Sequence, residues 1–111
     1  MLSIPLERVE LVVGYADPGS GELYHEAEVR AANGADEYFI GMSPEYNRSP
    51  NSLVYRSLLL ARAVVRLGPR KLVTPQDIAQ LHVRDVRALE CAIYRLTYGE
   101  EAAPKEDDAP G

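Results

Sequence analysis

Fifteen residues, Leu53–Leu67 (LVYRSLLLARAVVRL), form the longest apolar run of the chain, and every other segment must pack around them. The run is too short, and with Arg56, Arg62 and Arg66 too charged, to cross a bilayer. At 100° per residue, Leu53, Val54, Leu58, Leu60, Ala61, Val64, Val65 and Leu67 cover about half of a helical cylinder, which predicts one packed helix through the whole run. Asn51 or Ser52 suits its N-cap, and Gly68-Pro69 stops it, because glycine accepts the left-handed cap and proline cannot continue a helix. Tyr55, Leu59, Arg62 and Arg66 follow one another at i, i+4, i+7 and i+11 on the opposite side. That row reads either as a partner-binding stripe or as a second core contact at Leu59 flanked by solvated arginines.

Upstream, apolar and polar residues alternate with period two. Val9, Leu11 and Val13 mark one strand; Leu23, His25, Ala27 and Val29 mark a second. Asp17-Pro-Gly-Ser-Gly21 between them is a dense turn signal, so the two strands form a β-hairpin. A lone hairpin is marginal in water, and its apolar face must therefore cover a helix. His25 falls on the inward set as a hydrogen-bonded packing residue. Ala35–Met42 (ADEYFIGM) reads as a short helix with Asp36 and Glu37 in its first turn, where the helix dipole favours acids, and with Tyr38, Phe39 and Met42 as apolar contacts. Ser43–Pro50 is polar and turn-rich and reads as an exposed loop.

Downstream of Pro69–Val73, a connector, Thr74-Pro75-Gln76-Asp77 carries the marks of a helix start, with a capping threonine, proline in the first helical position and an acid three residues on. Ile78 and Leu81 face inward, with Ala79 beside them, and a turn near His82 or Val83 leads to a last helix. Over residues 84–98 Val86, Leu89, Ala92, Ile93 and Leu96 form a narrow core stripe, while Arg84, Arg87, Cys91, Tyr94, Arg95 and Tyr98 collect on the other side. Gly99 closes it. Residues 99–111 carry five acids and one lysine without periodicity, as expected of a disordered acidic tail. The expected fold class is α+β: an N-terminal antiparallel β-hairpin on a bundle of three to four helices, a single domain over residues 1–98.

The tail supplies −4 of the net charge of −5, so the rest of the chain is close to neutral. That balance opposes non-specific nucleic-acid binding, which runs on phosphate neutralisation. A single cysteine offers no intrachain disulfide and no cysteine-based zinc site, and it suits a reducing compartment. The first residues, MLSIP, lack a basic and then apolar leader, so a cytoplasmic location is expected, with no membrane partner. His25 and His82 are the only histidines and are far apart in the sequence, Cys91 has no histidine three or four residues away, and no phosphate-binding or metalloprotease motif occurs. Glu26 and Glu28 share a strand face, but exposed strand acids serve mainly to keep an edge soluble. No enzyme, cofactor or metal is expected. Arginine and tyrosine are enriched at protein-binding hot spots, which makes Tyr55, Leu59, Arg62, Arg66, Arg87, Tyr94 and Tyr98 the candidate protein-binding residues.

Three segments in order, GYADPGSGELYHEAEVRAANGADE, LLLARAVVRLG and VTPQDIAQLHVRDVRALECAIYRLTYGE, carry a family resemblance over about residues 9–100. Strands ending in Glu28-Val29-Arg30, the Gly34-x-Asp36-Glu37 step, and the spacing of Leu81, Asp85 and Leu89 before Arg95-Leu96 and Gly99 resemble small tail-assembly proteins of contractile-tailed phages and related injection systems, including baseplate hub and tail assembly chaperones. The resemblance implies a non-enzymatic helper that holds a hub, spike, baseplate or tape-measure protein until assembly. The alternatives are a structural subunit of such a particle and a helix-turn-helix DNA-binding regulator over residues 74–98.

Overall fold

The hairpin forms where the alternation places it, but it acquires a third strand. In the computed structural model, which describes residues 5–99, β1 (Leu6–Ala16), β2 (Leu23–Arg30) and β3 (Val64–Leu67) make an antiparallel sheet in the order β1-β2-β3. Five helices complete an α+β fold: α1 (Gly34–Gly41), α2 (Pro44–Arg48), α3 (Ser52–Ala63), α4 (Pro75–Ala79) and α5 (Val83–Tyr98). The acidic tail lies outside the described residues.

The central run is therefore not one helix. Asn51 caps α3 by accepting the backbone N–H groups of Leu53 and Val54, both at 3.0 Å, and the helix ends at Ala63. Val64 to Leu67 then extend along β2, pairing Val64 with Val29 and Leu67 with Ala27. Two consecutive β-branched valines favour the strand, and β2 has an open edge to offer them. Gly68 closes the strand with φ at +54°, and its N–H donates to the Glu26 carbonyl at 2.8 Å. A Cβ at Gly68 would sit 2.6 Å from the Tyr24 ring, so both the conformation and the close approach require glycine there.

Three aspartates, each three residues past a helix N-cap, fasten helices to neighbouring elements. Asp36, in a capping box with Asn33, accepts from both Arg30 of β2 and Arg62 of α3. Asp77, in a capping box with Thr74, accepts from the Tyr15 hydroxyl at 3.0 Å and from Arg70 at 2.9 Å. Asp85 instead reaches β1, accepting the N–H of Val12 at 2.7 Å, of Val13 at 3.1 Å and of Gly14 at 2.8 Å. These three donors lie where the β1–β2 register breaks between Glu10 and Tyr15, so the carboxylate satisfies a bulge that the sheet leaves unpaired. Gly14, with φ at +105°, makes the bulge sterically accessible.

The bulge reorders the faces expected of the hairpin. Val9, Leu11, Ala27 and Val29 are buried, but Val13, Leu23 and His25 are exposed and Tyr15 is buried in their place. His25 is nonetheless hydrogen-bonded, through Nδ1 to the Leu11 carbonyl at 2.8 Å. In α1 the inward residue is Ile40, four residues after the buried Asp36, while Tyr38, Phe39 and Met42 are exposed. Anchoring Asp36 fixes which face turns in, and residues at i and i+4 share a face. The expected loop at 43–50 contains α2, started by Ser43 as N-cap with Pro44 behind it. Thr74 and Pro75 start α4 as expected, and α5 buries Val86, Leu89, Ala92 and Ile93. Cys91 is buried as well. One core cluster joins Val86, Leu89, Ala92 and Ile93 to Val9, Leu11, Tyr15, Ala27, Val29, Leu60, Ala63, Val64 and Leu67.

Candidate protein-binding groove

Helices α3 and α5 run past each other with a seam between them, and four of the seven candidate residues meet there. A cavity of about 200 Å³ is lined by Tyr55, Arg56, Leu59 and Leu60 from α3 and by Glu90, Ile93 and Tyr94 from α5. A second, also about 200 Å³, continues towards Asn33 and Gly34 and shares Tyr55, Leu59, Ile93 and Tyr94 with the first, adding Thr97 and Tyr98. The two are one groove with an aliphatic base and phenol walls. Helical spacing produces it: Tyr55 and Leu59 are four apart on α3, and Tyr94 and Tyr98 four apart on α5.

The walls are held from outside. Tyr46 of α2 packs edge-on to Tyr55, with ring centroids 6.2 Å apart and planes at 72°. The Tyr94 and Tyr98 rings lie 5.5 Å apart. Burial raises the Tyr55 and Tyr94 hydroxyls above the ordinary phenol range, with Glu37 adding to the first and Glu90 to the second. Both phenols therefore stay protonated at neutral pH and keep a donor for a partner.

The remaining candidates lie elsewhere. The Arg62 Nε donates to Asp36 at 2.8 Å, and its guanidinium stacks 4.3 Å from the centre of the Phe39 ring. Arg66 sits on β3 and not on α3, donating to Glu28 at 2.9 Å and to Glu26 at 2.8 Å across the sheet. Arg87 is half-buried on α5 and lines neither cavity. The expected stripe of four along one helix is thus split. Its first half faces the groove and its second half serves the fold.

Arg56 is the residue that periodicity passed over. It lines the first cavity beside Ser52 and Glu90, and its Nε is buried without a hydrogen-bond partner. Its position four residues before the buried Leu60 was the available signal, since an arginine on that face must find a partner or a cavity. On the other flank of α3, a larger apolar cleft of about 620 Å³ runs between Phe39, Val54, Leu58, Ala61 and Val73. It offers no unpaired cation, because its Arg62 is bound to Asp36.

Among the described residues, no helix is long and apolar enough to cross a membrane. Comparison with protein-family models, with curated proteins and with solved structures gave no match. The likeness to tail-assembly proteins therefore rests on segment order alone.

Proposed function

We propose that this chain is a non-enzymatic protein-binding module whose client docks in the α3–α5 groove. One observation carries the reading: two adjoining cavities share Tyr55, Leu59, Ile93 and Tyr94, which gives a single aromatic-walled trough with protonated phenols along it. Tyrosines held by neighbouring rings lose little conformational freedom on binding, which is why such residues concentrate binding energy. The resemblance gives the proposal its specific form, an assembly chaperone or adaptor for a hub, spike, baseplate or tape-measure protein of a contractile tail-like particle. A structural subunit of the particle uses the same groove and differs only in remaining in the finished assembly. A DNA-reading helix presents its N-terminal residues to base edges, whereas Asp85 in the first turn of α5 is committed to β1.

Co-expression with the products of neighbouring genes, followed by size-exclusion chromatography, tests the proposal. A complex is expected, and Tyr55→Ala or Tyr94→Ala should weaken it by roughly 2 kcal/mol, the cost of truncating an interface hot spot. A complex that survives both substitutions with unchanged affinity contradicts the groove assignment.

A further inference from the structure

Six arginines among the described residues lean on carboxylates: Arg8 on Glu26, Arg30 and Arg62 on Asp36, Arg66 on Glu26 and Glu28, Arg70 on Asp77 and Arg95 on Glu7. Arg56 does not. Its Nε is buried and has no hydrogen-bond partner, although Glu90 lines the same cavity. Arg56 as a whole is only half-buried and lines the cavity, and the N–H groups of its guanidinium are donors that an ionised acceptor satisfies best.

We propose that Arg56 is the carboxylate anchor of the groove: the client is a polypeptide segment that lays an apolar side chain against Leu59 and Ile93 and gives an adjacent Asp or Glu carboxylate to the Arg56 guanidinium. This rests on the groove reading above and narrows it to acidic, apolar segments. Shape and charge agree on the occupant. The aliphatic base takes a Leu-sized or aromatic side chain, and the one cation lining the first cavity selects an anion beside it. Glu90 on the opposite helix disfavours any second acid and so fixes the register of the segment.

The test titrates the isotope-labelled full chain with two capped dipeptides, N-acetyl-Phe-Glu amide and N-acetyl-Phe-Gln amide, followed by NMR at the Arg56 Nε–H and at the Leu59 and Ile93 methyl groups. The Glu peptide should shift all three and bind at least ~10-fold more tightly than its Gln twin, as a charge-assisted hydrogen bond requires. Arg56→Gln should abolish that preference while its spectrum shows a folded chain. Glu90→Gln should strengthen the Glu peptide severalfold. Equal binding of the two peptides, or a preference that persists in Arg56→Gln, overturns the carboxylate anchor and leaves the groove reading standing. A groove that responds to neither peptide overturns it too, and the groove reading falls as well only if the client complex also survives both Tyr55→Ala and Tyr94→Ala. A marked loss of thermal stability in Glu90→Gln would show that Glu90 already serves Arg56 within the chain, and that also overturns the proposal.

Discussion

Arg62 and Arg56 are six residues apart on the same helix and live in opposite circumstances. Arg62 places its Nε 2.8 Å from a fully buried Asp36 and its guanidinium over Phe39. Arg56 borders a cavity with its Nε buried and unpartnered. The difference teaches how to sort arginines on an amphipathic helix. One whose charge is matched inside the fold contributes to stability, and one whose buried donor is left unmatched beside a cavity is available to something else.

The largest effect should follow from removing the acid on the matched side. Asp36→Asn leaves Arg30 and Arg62 sharing a neutral partner, and breaking a buried pair in this way costs about 3–5 kcal/mol, readable as a fall in the denaturant midpoint. A loss below about 1 kcal/mol would erase the contrast between the two arginines. Asp85→Asn is next. It puts a carboxamide where three backbone N–H groups converge, and about 1.5–3 kcal/mol should go with the charged acceptor. Because this clamp has no arginine, its loss should be the less sensitive to salt of the two, since screening acts on paired charges.

The contrast also has a pH signature. The Arg30 guanidinium, with Arg62 beside it, holds the Asp36 carboxyl well below the ordinary carboxylate range. A depressed folded-state pKa means the group contributes its full stability above the unfolded value near 4, and that contribution drains away as pH falls below it. Stability should therefore decline as the medium is acidified through and below about pH 4, and Asp36→Asn should flatten that part of the profile. An unchanged acid limb in the variant would place the linkage elsewhere. The smallest effect should come from Arg56→Gln, within about 0.5 kcal/mol of the parent in stability, while the preference for a carboxylate-bearing client is lost.

Much of this was legible from residue order. Thr74-Pro75-x-Asp77 announced α4, the acids after Gly34 announced α1, and the stripe from Val86 to Ile93 announced the face of α5. Local signals suffice where side chain and backbone satisfy each other within one turn. What remained hidden depends on distant partners. The switch from helix to strand at Val64 needs the free edge of β2, which helical periodicity does not report. The exposure of His25 and the burial of Tyr15 follow from a bulge that Asp85 fills from 71 to 73 residues away. The groove was half legible: Tyr55, Leu59, Tyr94 and Tyr98 came from spacing, whereas Arg56 is informative only once the cavity beside it is known.

Thermal unfolding of Arg62→Gln and Arg56→Gln, measured side by side, tests the contrast most directly. Arg62→Gln should lose roughly 1.5–3 kcal/mol, a fall in Tm of the order of 10 °C for a chain of this size, while Arg56→Gln should unfold within about 2 °C of the parent. Equal losses in the two variants, or a larger loss at Arg56, would contradict the account.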